Sequence, residues 1–135
     1  MSTTAAMLSS HPAGAAAPNP ALLVECIEAC WDCTQTCVIC ADACLSEESV
    51  AELRSCIRTD LDCADICRTT ATVLSRRGGG DPATTHALLE TCALICERCA
   101  EECDRHAGHH EHCRLCAEAC HRCARACRAL LAEST

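Results

Sequence analysis

The run CIEACWDCTQTCVICADAC, residues 26–44, decides the fold. Its cysteines fall at Cys26, Cys30, Cys33, Cys37, Cys40 and Cys44, an unbroken alternation of steps of four and three. Steps of this size put all six side chains on one face of a helix, at the positions that point into a helical bundle. At 1.5 Å of rise per residue the stripe lines about 27 Å of axis. The same phasing recurs at Cys92, Cys96, Cys99 and Cys103, and again at Cys113, Cys116, Cys120, Cys123 and Cys127. A sparser stripe holds Cys56, Cys63 and Cys67, with Asp60 at the seam position between the first two.

Punctuation around these stripes bounds four helices. Asn19-Pro20 reads as an N-cap followed by a first-turn proline, and opens a helix over about 20–45. Ser46 with Glu47 and Glu48 reads as a second N-cap, and Arg76-Arg77-Gly78 as the matching basic end and αL stop, giving a helix over 46–77. Asp81-Pro82 repeats the cap signature for a helix over 82–107, and 109–132 supplies the last. Connections this short imply antiparallel neighbours. The expected fold is all-α, an antiparallel up-down-up-down four-helix bundle with a cysteine-lined interior, spanning residues 20–135. Residues 1–19, rich in Ala, Pro, Ser and Thr, read as a flexible tail with a short helical piece around Met7.

Composition narrows the function. The chain has 135 residues, 18 of them Cys, and Trp31 is its only aromatic residue. Once Cys and Ala are set aside, 25 larger apolar residues remain, few for a core at this length, so cysteine must share the packing. A net charge of -8, with Arg but no Lys, argues against nucleic acid. No apolar run approaches a membrane span, and the first 21 residues carry no Lys or Arg and several prolines, so no export signal is readable. The expected compartment is the cytosol, where dense cysteine means metal more often than disulfide.

Eighteen thiols in register are not ordinary packing, since Leu or Val would fill the space without the oxidation hazard. Disulfides within a stripe are disfavoured, because neighbours three or four apart hold their Cβ atoms about 5–6 Å apart, beyond the roughly 3.5–4.5 Å a disulfide prefers. Cross-helix bridges remain open, though four facing stripes would pair promiscuously. The triplets Cys26-Cys30-Cys33 and Cys92-Cys96-Cys99 match the spacing of radical-SAM iron–sulfur enzymes, but as a by-product of helical periodicity. Soft thiolates select Cu(I), Zn(II) or iron–sulfur clusters. Rows of thiols on straight helices suit an ion content with two or three ligands. If each thiolate bridges two Cu(I) ions the buried charge cancels, whereas a tetrathiolate Zn(II) site keeps two negative charges inside. A zinc or mixed-metal thiolate store stays open as the alternative, and an iron–sulfur or redox protein as a weaker one. No Ser/His/Asp set, nucleotide loop or carboxylate pair stands out, so the expected function is non-enzymatic.

With cysteine-lined helices, an almost aromatic-free interior and histidines near one end, the sequence resembles the bacterial copper storage proteins over residues 20–132. The resemblance implies a four-helix bundle, assembled as a homotetramer and filled with multiple Cu(I) ions held by thiolates. It also implies a copper donor or acceptor such as a chaperone or small thiol. Lacking a twin-arginine signal, the chain looks like the cytosolic branch. It departs from the exported type in having no Met near a bundle mouth, since Met1 and Met7 lie in the tail.

The two bundle ends read differently. Beyond Cys67, Cys127 and before Cys92, the seams continue as Thr70, Leu74, Leu130, Leu131, Leu88 and Leu89, an aliphatic plug. At the other end the seam past Cys103 reaches His106 and His110, and His109 sits four before Cys113. These three are the expected first ligands that pass Cu(I) to Cys103, Cys113, Cys116 and Cys44. His112 is less readily placed, and His11, His86 and His121 read as surface residues. Asp60 reads as a buried ligand or hydrogen-bond partner of a protonated thiol, with a water-facing orientation as the alternative. Finally, Ile27, Trp31, Thr34, Val38, Ala41 and Leu45 form a second band beside the cysteines, expected in part to seal against the next helix and in part to face another copy.

Overall fold

Asn19 caps the first long helix as the sequence predicts: its side-chain oxygen accepts from the Leu22 N–H at 3.3 Å, with Pro20 in the first turn. Asp81 does the same for a later helix, accepting from the Thr84 N–H at 2.9 Å. A computed structural model describes residues 1–14, 19–76 and 79–133. Its helices are α1 (Thr3–Ser9), α2 (Pro20–Leu45), α3 (Arg54–Ser75), α4 (Pro82–Asp104) and α5 (Glu111–Glu133), with a 3-10 turn at Val50–Leu53. Helices α2, α3, α4 and α5 form a closed ring of antiparallel neighbours, α2 packing on α3 and α5, and α4 on α3 and α5. This is the expected four-helix bundle, with α2 facing α4 and α3 facing α5 across its axis.

Two local readings change, and the short helical piece expected around Met7 is present as α1. Ser46 does not open a helix but closes one, its backbone N–H bonding back to Ala43 and Cys44 carbonyls. The chain then turns through Ser46–Ser49, and the 3-10 turn carries Leu53 into the core at 1% exposure before α3 begins without a side-chain cap. Burying Leu53 outweighs the local cap signature, and it leaves Glu47 in the connection rather than in a first helical turn. Likewise α4 stops at Asp104, so His106 and His110 lie in the turn before α5 and not on a continuing helical seam. The stretch ahead of Pro20 contains α1, capped by Ser2 and bound to α2 through the Ser2 hydroxyl on Glu28 at 3.1 Å, with Leu8 packed against the core. The αL stop read at Gly78 lies outside the described residues, as does part of the tail at 15–18.

The interior is sulfur where a bundle normally has leucine. All 18 cysteines are buried and free, none more than 1% exposed. Small residues fill the spaces between stripes, among them Ala29, Ala64, Ala71, Ala93 and Ala100. At one end Leu23, Leu74, Leu89 and Leu131 are buried, with Leu130 and Leu8 half-buried against them, and this is the aliphatic plug. Thr70 extends the α3 seam there, but its hydroxyl donates to the Ile66 carbonyl at 2.8 Å and is not free for a ligand. The second band on α2 divides by heptad position. Ile27, Thr34 and Ala41 are buried, while Trp31, Val38 and Leu45 stay exposed. Outside, Arg122 pairs with Glu25 and Asp32 to join α5 to α2, and Arg128 pairs with Glu97 to join α5 to α4. Exposed pairs of this kind fix register more than they add stability, each worth roughly 0–1 kcal/mol.

Candidate metal centre

Helical phasing brings the four thiol stripes to one axis. Neighbouring Sγ atoms from different helices approach to 3.4 Å at Cys67–Cys96, 3.7 Å at Cys26–Cys127 and Cys37–Cys116, and 3.8 Å at Cys33–Cys63 and Cys56–Cys103. Contacts also cross the diagonals, Cys37 meeting Cys99 at 3.9 Å and Cys67 meeting Cys123 at 3.9 Å. The sulfurs gather in fours whose ligand atoms lie within 4.8 Å of one another. Cys30, Cys92, Cys123 and Cys127 form one such group near the plug, and Cys40, Cys44, Cys56 and Cys113 another near the histidines. Between them, Cys33 and Cys63 belong to two groups each, as do Cys37 and Cys120, so the three middle groups share sulfurs, while Cys67–Cys92 at 3.8 Å joins the plug-end group to them and Asp60, bonded to Cys56, Cys99 and Cys116, joins the group near the histidines.

That sharing bears on the choice of metal. An isolated four-thiol group suits tetrahedral Zn(II), but successive Zn(II) sites would need four thiolates apiece and would leave uncompensated negative charge in a dry interior. A column in which one sulfur serves two groups suits Cu(I), which accepts bridging thiolates and balances them charge for charge. Without metal, burial favours the neutral thiol. Cys113, near the histidine end, is pushed up to about 12, first by burial, and Cys44 is raised for the same leading reason.

Asp60 sits among the sulfurs and is fully buried, so its water-facing alternative is overturned. Its Oδ1 accepts from the thiols of Cys99 at 3.1 Å, Cys116 at 3.3 Å and Cys103 at 3.6 Å, and Oδ2 from Cys56 at 3.9 Å. Burial, reinforced by Cys116, Cys99 and Cys56, pushes its carboxyl up to about 11. It is thus a neutral acid in the column at pH 7, able to bridge thiols by hydrogen bonds.

At the end opposite the plug, His112 is the histidine that reaches the thiols. Its Nδ1 lies 3.4 Å from Cys40 Sγ and 3.6 Å from Cys113 Sγ, and its Nε2 lies 2.9 Å from Glu47 Oε2. His110 Nδ1 is 2.9 Å from the same Glu47 oxygen, and the two rings stack with centroids 5.4 Å apart. His106 is half-buried beside Glu102, Nε2 to Oε1 3.6 Å, and His109 is exposed, edge-on to His110. The cluster therefore gathers at one mouth as expected, but its innermost member is His112, one residue off the cysteine seam. Glu47 escapes sequence reasoning altogether, because only the chain reversal at 46–49 carries it to α5. Glu47 itself is held below the usual carboxylate range, first by its hydrogen bond with His112. His11 and His121 are exposed, the latter paired with Asp104, and His86 is half-buried beside Glu90.

Comparison with known proteins adds an independent line. A family model described as copper storage protein matches residues 20–132. Among solved structures, the copper storage protein Ccsp from Streptomyces lividans, loaded with 10 copper equivalents, is 53% identical with a TM-score of 0.92, the match covering 96% of this chain and 98% of that one. The cytosolic copper storage protein from Streptomyces lividans with five coppers is 58% identical, TM-score 0.81, over 83% of this chain and 93% of that one. The Cu(I)-bound copper storage protein BsCsp3 is 40% identical, TM-score 0.69, over 77% and 92%. A search of curated proteins finds no match.

Proposed function

The chain belongs to the copper storage protein family, and we propose that it is a non-enzymatic cytosolic store that sequesters many Cu(I) ions on the thiolates of its bundle axis. The observation that carries this reading is the run of buried four-sulfur groups inside four helices, the middle three of them sharing sulfurs. Cu(I) is the cargo. It meets the imidazoles at the histidine end first, where His106, His109 and His110 lie in and beside the turn before α5 and His112 stands against Cys40 and Cys113. From there it moves by ligand exchange between neighbouring groups, which share sulfurs in the middle of the bundle and touch through Cys67 at the far end, toward Cys30, Cys92, Cys123 and Cys127 beside the plug. Each thiol that takes copper gives up its proton, so a neutral thiol column becomes a neutral copper–thiolate column. Asp60, already neutral, adds no charge to that balance. The aliphatic plug leaves the histidine end as the route in and out.

Crystals soaked anaerobically with Cu(I) test the reading. Anomalous copper peaks along the axis between the four helices support it, and peaks confined to surface carboxylates and histidines overturn it.

Self-association is part of the same proposal. Trp31, Val38 and Leu45 form an exposed apolar stripe on α2, Trp31 being 42% and Leu45 60% exposed. Such a stripe is a surface that association would cover, in the homotetramer that the family resemblance implies. A strictly monomeric species by light scattering at micromolar concentration contradicts it.

A further inference from the structure

Two stacked imidazoles at the mouth share one carboxylate oxygen, and they do so through different nitrogens. His112 meets Glu47 Oε2 through Nε2, and His110 meets it through Nδ1, both at 2.9 Å. An ionised carboxylate can only accept hydrogen bonds, so in each neutral ring the nitrogen facing Glu47 carries the hydrogen. His112 is then the Nε2–H tautomer and His110 the Nδ1–H tautomer. The lone pairs are left on the opposite nitrogens. On His112 it is on Nδ1, the atom 3.4 Å from Cys40 Sγ and 3.6 Å from Cys113 Sγ. On His110 it is on Nε2, which makes no contact with Glu47.

We propose that Glu47 is a positioning residue for copper uptake: one oxygen locks His110 and His112 in opposite tautomers, so that one lone pair awaits arriving Cu(I) and the other stands with the first two thiols. The inference rests on the storage reading for its purpose, but its geometric part stands without copper. A ligating imidazole whose other nitrogen donates to a carboxylate is the common way a protein fixes ring orientation and raises ligand basicity, and losing such a partner typically costs 10–100-fold in affinity or activity. Here one carboxylate serves two rings. It comes from the α2–α3 connection while the rings come from the start of α5 and the turn before it, so the arrangement also ties the mouth together.

The tautomers are read directly by long-range 1H–15N correlation spectra of the metal-free protein, at a pH where the rings are neutral. The expected result is Nδ1–H for His110, the less common form of a free histidine, reverting to Nε2–H in Glu47→Ala and Glu47→Leu, neither of which offers an acceptor. The Leu variant, close to Glu in size, guards against a folding defect, which unchanged helical circular dichroism confirms. With Cu(I) supplied from a chelator, both variants are expected to load about 10–100-fold more slowly than the unaltered protein, and to the same final copper content. An Nε2–H form of His110 in the unaltered protein, no tautomer change in the variants, or loading within twofold of normal each overturns the proposal. Should the unaltered protein take up no copper, the storage reading fails and with it the purpose assigned to Glu47, whereas the metal-free spectra still decide whether Glu47 sets the rings.

Discussion

The Cys99 thiol donates to Asp60 Oδ1 at 3.1 Å, in a part of the bundle axis that both side chains share without any exposure. A carboxyl is thus built into a column of sulfur, and burial moves its titration from the ordinary 3.8 up to about 11. The folded protein keeps a proton there that the unfolded chain releases above about pH 4. The contribution of this group to stability is therefore complete below that pH and is lost as pH rises toward 11.

Replacing Asp60 by Asn removes the titration while keeping the shape. Denaturant unfolding of the metal-free, reduced protein should then show a flatter dependence on pH between 5 and 9 than the unaltered protein, with the stability gap widening in favour of the variant as pH rises. Parallel curves would mean that Asp60 is not held neutral by the fold.

Joint replacement of His106, His109 and His110 by Ala should slow Cu(I) loading far more than it lowers capacity. His112→Ala alone should slow it at least as much, because His112 is the ring that stands against Cys40 and Cys113. Stopped-flow loading from a Cu(I) chelator reads both, and unchanged kinetics in both variants would remove the histidine route.

Leu74 is fully buried in the aliphatic plug. Leu74→Ala should destabilise the metal-free bundle by about 2–5 kcal/mol, the usual cost of such a cavity, and leave the final copper content unchanged. Urea unfolding and metal analysis check the two halves separately. A large loss of copper at normal stability would show that the plug end belongs to the metal column.

Because every thiol is buried, thiol reagents should react only as fast as the bundle opens. Labelling of the native metal-free protein is expected to be slow, with all 18 thiols reacting once denaturant is added. A burst of several thiols under native conditions would contradict the closed interior.

Much of this was legible in the sequence for a simple reason. Steps of three and four between cysteines encode a helical face, and the Asn19-Pro20 and Asp81-Pro82 pairs encode helix starts that depend on neighbours only three residues away. The resemblance to copper storage proteins, carried by those stripes, agrees with the family match over the same residues. What escaped reading depends on distant contacts. Ser46 carries the local signature of a cap, yet the burial of Leu53 sets where α3 begins. His112 is out of phase with the cysteine seam, and its value comes from Cys40 and Glu47, which chain reversal brings to it across the bundle. The split of the α2 band into buried Ile27, Thr34 and Ala41 and exposed Trp31, Val38 and Leu45 depends likewise on which neighbour each heptad position meets.

Anaerobic titration of the reduced protein with Cu(I), in the presence of a competing chelator, decides whether the thiol column is a copper store. With each thiolate shared between two ions, uptake should continue to roughly 18 Cu(I) per chain. Saturation with four or five Zn(II), at about four thiolates per ion, and no comparable uptake of copper would contradict it.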